Sequence, residues 1–276
     1  MSETNRRRFL AGLAAAIVGG IGGARYAAGG SIHMAAAAAS LAEAAPISEV
    51  MKPQAMTAGP ILGPPPPSTR VQLPGRGVLT VLPGGSDRLA LTVDDGVSSD
   101  VVRLYTQFAK DTGVRMTYFV NGTYRSWTEN AELLRPLVEA GQIQLGNHTW
   151  SHPDLTTVSR SRVADEINRN SSFLMKNYGV DARPYLRPPY GKYNATVAAV
   201  AADLGYPVTT LWSGSLADST VVTEDYIVKM ADQYFKPRNI VIGHLNHAPV
   251  THVYDRLVEI IRDRNLRTVT LNDVFA

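Results

Sequence analysis

Leu91-Thr92-Val93-Asp94-Asp95-Gly96 closes an apolar run that begins at Leu89. Leu89, Ala90, Leu91 and Val93 spell a buried strand that stops at two adjacent carboxylates and a glycine turn. Neighbouring side chains on a strand point to opposite faces, so one of two consecutive carboxylates would ordinarily be buried without a partner. The pair fits the mouth of a strand, where the backbone already turns at Gly96 and both groups can reach one cavity. An Asp-Asp-Gly turn is common on protein surfaces. This stretch therefore acquires chemical meaning only in combination with residues further along the chain.

Downstream, strand and helix patterns alternate. Residues 78–82, 89–93, 116–120, 143–146, 185–187, 208–212, 240–243 and 268–271 read as strands. Ser98 or Ser99 caps a helix with the stripe Val101, Val102, Tyr105, Phe108 and Ala109, ending near Gly113. Further helices are expected at 131–140, 160–178, from Asn194 to Leu204, and at 224–234 and 251–265. Such units imply a parallel sheet covered by helices. Roughly seven of them in about 200 residues favour an α/β fold of the distorted (β/α) barrel kind over an open sheet. Asp94, Asp95, His148, Arg187, Asp218 and His244 all fall just after predicted strands, the end where sites form in parallel α/β folds.

The chain has 276 residues, with 27 basic and 24 acidic side chains. Four of the basic residues (Arg6, Arg7, Arg8 and Arg25) and one acid (Glu3) lie in the first 30, so 23 of each sign remain. The basic character belongs to the leader, and nothing in the remainder indicates a nucleic-acid partner. There is no cysteine, which excludes thiolate metal sites, disulfides and cysteine nucleophiles. Arg6-Arg7-Arg8-Phe9-Leu10 followed by an apolar, small-residue run reads as an export leader over residues 1–45 and resembles a twin-arginine signal. The alternative is a retained anchor, the only membrane contact expected. Pro53, Pro60, Pro64 to Pro67 and Pro74 mark residues 46–75 as an extended linker, leaving 76–276 as the folded domain.

His148-Thr149-Trp150-Ser151-His152 places two imidazoles four apart. On one helical turn they would share a face at chelating distance, although Pro153 prevents a longer helix. With a carboxylate from another strand end they make a two-His-one-carboxylate set, which suits zinc, cobalt or iron(II) with water in the open position. Arg187-Pro188-Pro189-Tyr190-Gly191 is a rigid loop able to aim an amide N–H at an oxyanion, with Arg187 able to pair with a carboxylate. His244 ends the strand Ile240-Val241-Ile242-Gly243 and is a candidate general acid. His247 and His252 are expected at the surface or rim, and His33 lies in the leader region.

In this order the segments resemble the polysaccharide deacetylases, the NodB-like domain of carbohydrate esterase family four. The likeness covers about 78–276. Thr92 to Gly96 is similar to the first family motif, with Val93 where phenylalanine is usual. The segments 148–152 and 187–191 fit the second and third motifs, and Ile242-Gly243-His244 resembles the fifth. The fourth departs most: Trp212-Ser213-Gly214-Ser215-Leu216-Ala217-Asp218-Ser219 keeps Asp218 but has Ser215 for an aspartate and Ser219 for a tryptophan.

The resemblance implies that Asp95, His148 and His152 bind one divalent ion, zinc first, with cobalt or another divalent ion as alternatives. It implies Asp94 as general base oriented by Arg187, His244 as general acid partnered by Asp218, and the N–H of Tyr190 in the oxyanion site. The implied reaction is hydrolysis of N-acetyl groups on an extracellular or cell-envelope polysaccharide, peptidoglycan before chitin-like oligomers. Three other readings remain open: an O-acetyl esterase or other amide hydrolase on the same scaffold, a non-catalytic carbohydrate-binding relative, and an iron(II) oxygenase suggested by the ligand set alone.

Overall fold

The computed structural model describes residues 61–63, 70–85 and 87–276. The predicted leader and most of the proline-rich linker lie outside the described residues. Among the described residues nine strands appear in order: β1 (Gly77–Leu79), β2 (Arg88–Asp95), β3 (Met116–Val120), β4 (Ile143–Asn147), β5 (Tyr185–Leu186), β6 (Val208–Thr210), β7 (Gly214–Ser215), β8 (Ile240–His244) and β9 (Arg267–Thr268). The helices are α1 (Ser99–Thr112), α2 (Ser126–Glu129), α3 (Ala131–Glu139), α4 (Arg160–Tyr178), α5 (Ala195–Asp203), α6 (Glu224–Tyr234) and α7 (Tyr254–Asp263). Their ends follow the chemistry of the chain. Ser98, Ser159, Asn194 and Thr223 each accept a backbone N–H as N-caps, and Gly113 and Gly179 close α1 and α4 in the left-handed conformation.

The strands pair in parallel in the order β1-β6-β5-β4-β3-β2-β8-β7, with β9 added to the start of β2. The path curls into a half-barrel whose ends, β7 and β1, do not pair with each other. The expected distorted barrel is therefore present. Two differences stand out. β7 is too short to leave a periodic signal in the sequence. Residues 268–271 do not continue as a strand, because Thr270 and Asp273 form a reciprocal cap over the turn Leu271–Asp273.

Alternation along β2 divides the core. Leu89, Leu91 and Val93 pack against the helices, whereas Ala90 belongs to a second cluster with Leu79, Phe119, Tyr185, Val208 and Ile240 inside the curl. Leu271, Val274 and Phe275 join that inner cluster, and the Leu271 and Asn272 N–H groups donate to Thr117 Oγ1 and Gln144 Oε1. Asp94 stands next to Phe119 of β3 and His244 of β8 in register, and Val120 next to Asn147 of β4. The carboxyl ends of the central strands thus open at one mouth. Among the described residues no helix is long and apolar enough to cross a membrane.

Candidate active site

Strand parity sends Asp94 inward and would send Asp95 among the helices. The backbone prevents this: Asp95 is left-handed, with φ 77°, and Gly96 follows at φ 104°. A side chain at Gly96 would collide with the indole of Trp127, which packs there and donates Nε1–H to the Asp95 carbonyl at 3.2 Å. Both carboxylates consequently face the same mouth. A left-handed non-glycine residue costs about 1–3 kcal/mol and persists only where surrounding contacts enforce it.

The two histidines approach from a loop rather than a helical turn. Residues 148–152 have no helical backbone, and Thr149 and His152 are left-handed at φ 70° and 59°. The expectation of one helical turn is thus corrected. Asn147 accepts the Thr149 N–H on Oδ1 at 2.9 Å, and Asn121 donates its amide to the carbonyls of His148 and Thr149. Held this way, the rings lie 4.9 Å apart, edge to face. His148 Nε2 and His152 Nε2 each stand 3.4 Å from Asp95 Oδ1, and the three ligand atoms lie within 4.8 Å of one another.

This geometry fits a divalent cation. Asp95 Oδ1 is buried with no hydrogen-bond partner, an arrangement that is costly unless something positive fills it. His148 Nδ1 lies 2.6 Å from the Arg187 carbonyl, which can only accept, so the proton sits on Nδ1 and Nε2 turns its lone pair to the mouth. Burial would raise the Asp95 carboxyl, but the imidazoles of His148, His152 and His244 close by hold it well below the usual range. Burial and the neighbouring His148 push His152 down to about 4, leaving a neutral ring near pH 7. Asn246, which no local sequence pattern marks, donates to the other oxygen, Asp95 Oδ2, at 2.7 Å.

Beside this cluster Asp94 points Oδ1 at Arg187 Nη1, 2.6 Å away, and Oδ2 towards His148 Nε2, 3.6 Å away. Arg187 is fully buried, lying over the ring of Phe119 and donating also to Thr92 Oγ1 and to the carbonyls of Thr210 and Leu211. Burial lowers its guanidinium pKa, with Asp94 opposing that shift. A buried charge of this kind is tolerable because each of its three nitrogens finds an acceptor and Asp94 neutralises it.

On the opposite side His244 Nδ1 donates to Asp218 Oδ1 at 2.9 Å, and the His244 N–H donates to Asp218 Oδ2 at 3.1 Å. Burial would lower the His244 imidazole, but the Asp218 hydrogen bond and charge raise it above its ordinary value. Ser215 has a local use here: its Oγ accepts the Ala217 N–H at 2.9 Å, in a turn where Ala217 is left-handed and Asp218 swings back to β8. Ser219 is exposed.

Tyr190 is left-handed at φ 60°, followed by Gly191, where a side chain would meet Trp212 at 2.8 Å. The residue is 62% exposed, and its ring meets that of His152 edge-on, with centroids 4.5 Å apart. Every predicted site residue thus gathers at one mouth. His252 stays outside, exposed and paired with Glu224, and His247 is half-buried.

Fold and site together place this chain in the class of parallel α/β half-barrels that collect a carboxylate and two imidazoles at the carboxyl end of the sheet. Residues 83–209 match the family model described as polysaccharide deacetylase. The peptidoglycan-N-acetylglucosamine deacetylase PgdA of Listeria monocytogenes is 29% identical over 188 residues, 68% of this chain and 39% of that protein. A chitin deacetylase of Arthroderma benhamiae is 28% identical over 198 residues, 67% of this chain and 51% of that one. This chain therefore spans about half or less of both relatives. Among solved structures, the Bc1960 peptidoglycan N-acetylglucosamine deacetylase superposes with a TM-score of 0.65 at 23% identity, covering 72% of this chain and 92% of that one. A family-four pseudoenzyme from Bacillus anthracis does so with a TM-score of 0.64 at 18% identity, covering 74% and 72%. These two likenesses concern the fold. The family model and the curated relatives support a polysaccharide deacetylase domain of the NodB-like kind in this chain.

Proposed function

We propose that this protein removes N-acetyl groups from an extracellular or cell-wall polysaccharide, releasing acetate and a free amino sugar. N-acetylated peptidoglycan is the leading substrate, with chitin-like oligomers second, in keeping with what the relatives are named for. The observation that carries this reading is the convergence of Asp95 Oδ1, His148 Nε2 and His152 Nε2 beside the second carboxylate, Asp94.

Those three residues would hold one divalent ion, zinc first, with cobalt or another divalent ion as alternatives. Such an ion supplies polarisation of the acetyl carbonyl and a water of lowered pKa. The rest is work for the chain's own groups. Asp94, aligned by Arg187, takes a proton from the attacking water on Oδ2. The N–H of Tyr190 would donate to the developing oxyanion. When the C–N bond breaks, His244 delivers a proton from Nε2 to the departing amine, with Asp218 holding Nδ1. A complete set of base, acid and ligands favours turnover over a purely binding role.

The domain is assigned to residues 76–276, behind an export leader (1–45) and a linker (46–75). Export agrees with a cell-envelope substrate, and membrane contact would be limited to the N-terminal segment if it stays uncleaved. The test is to incubate the zinc-loaded protein with peptidoglycan, N-acetylglucosamine oligomers and acetylated xylan. Acetate with an equal amount of free amine supports the proposal. Acetate from xylan alone indicates an esterase, and no acetate from any of the three indicates a binding relative.

A further inference from the structure

Helix α4 carries polar side chains on a face that is buried. Glu166 and Asn170 are both inaccessible to solvent. A carboxylate in such a place is costly unless its oxygens are matched. Those of Glu166 are: Oε2 accepts the Ser151 backbone N–H at 2.7 Å, and Oε1 accepts the Ser151 hydroxyl at 2.7 Å and pairs with Arg162 Nη2 at 2.5 Å. Ser151 immediately precedes His152.

The two histidines of the cluster are held by different means. His148 follows directly from β4 and is tied through Nδ1 to the Arg187 carbonyl. The His152 ring lacks any such tie: its Nδ1 has no hydrogen-bond partner among the described residues, its ring is touched edge-on by those of His148 and Tyr190, and only its backbone is held, its own N–H donating to Thr149 Oγ1 at 3.2 Å. Its backbone is left-handed, as is that of Thr149, conformations kept only where surrounding contacts impose them. The ring is therefore aimed by the loop backbone. Asn121 fixes the His148 end of that loop, Thr149 Oγ1 closes it on the His152 N–H, and Glu166 anchors Ser151 to helix α4 from outside the loop.

We infer that Glu166 is the positioning residue for His152, acting through Ser151, and that this tie sets the affinity of the three-residue cluster for a divalent cation. The inference rests on the reading of Asp95, His148 and His152 as cation ligands. Arg162 shares the same carboxylate but projects from the same helix one turn earlier, and its side chain is 44% exposed. It neutralises Glu166 and makes no hydrogen bond to residues 148–152, so it provides an internal control.

The experiment measures Zn2+ affinity of the intact protein by competition with a chromophoric chelator, with the visible spectrum of the Co2+ form as a second readout. Glu166→Ala and Ser151→Ala are each expected to weaken Zn2+ binding about 10- to 100-fold. The double variant should be little worse than the weaker single one, since both remove one tie. Arg162→Lys should stay within about threefold of wild type, because a cation is kept beside Glu166 and no group on residues 148–152 is touched. Wild-type affinity in folded Glu166→Ala overturns the inference, and so does full additivity. Should Glu166→Ala not fold, Ser151→Ala decides on the same criterion. A wild type that binds no divalent cation overturns the ligand reading and this inference together. Normal wild-type affinity with unchanged variants overturns this inference alone.

Discussion

The carbonyl oxygen of Arg187 accepts the Nδ1 proton of His148 at 2.6 Å, while the guanidinium of the same residue grips Asp94 at 2.6 Å. One buried residue thereby fixes the tautomer of a candidate ligand and the direction of the candidate base. The third motif is accordingly more than a loop with a rigid backbone. It ties the second motif to the first, so the spacing between ligand and base follows from the position of one strand end, β5.

Arg187→Met is therefore expected to damage two functions at once. Asp94 would be left as an unpaired buried charge, a change that costs about 3–5 kcal/mol when one partner of a buried pair is removed. Urea unfolding should show that loss, and acetate release should fall with it. Arg187→Lys keeps the charge but cannot reach Asp94, Thr210 and Leu211 together. A lysine variant with wild-type stability and rate would show that the fork geometry is irrelevant.

Asp94→Asn separates base from ligand. The amide still fits beside Arg187, and none of the three clustered ligand atoms is touched. Zinc content should remain one ion per chain, whereas acetate release should drop by about 10²- to 10⁴-fold, the usual contribution of a positioned base. Undiminished turnover would move the base elsewhere; lost zinc would make Asp94 a ligand.

The sequence disclosed the framework and the principal side chains because strands, caps and motifs are local signals. Residues 116–120, 160–178 and 224–234 carry uninterrupted periodicity and form the elements expected of them. Supporting residues were harder to read. Asn246 reaches Asp95 across 151 positions and Trp127 reaches it across 32, and neither residue type announces such a contact. The left-handed turns at Asp95, Thr149 and His152 were likewise invisible, since none is glycine and long-range contacts impose them. For the same reason the histidine pair could be taken for a helical turn.

The Asp218–His244 pair makes a prediction about pH. Against the lowering effect of burial, the Asp218 hydrogen bond and charge, helped by Asp94 and Asp95, raise the His244 imidazole above its ordinary value of 6.5. The protonated imidazole thus survives to higher pH, and with His244 as the proposed acid the alkaline limb of kcat/KM should lie above that value. The same shift contributes stability that is fully present below the unfolded value and is lost as pH rises through the folded one. In Asp218→Asn the charge is gone, so the alkaline limb should move to lower pH and kcat should fall. A limb that stays in place would mean that the leaving amine takes its proton from another group.

Ser219 offers a test of specificity at the same mouth. It follows Asp218 directly and is exposed, and its small hydroxyl side chain offers no apolar wall of its own. The family resemblance places a tryptophan at this position. In Ser219→Trp an indole would add a large apolar face beside the acid pair without touching Asp95, His148 or His152. Zinc content should not change. Acetate release from N-acetylglucosamine oligomers should change relative to release from peptidoglycan. Profiling both substrates with wild type and variant measures the ratio directly, and an unaltered ratio would remove Ser219 from any account of which sugar this site accepts.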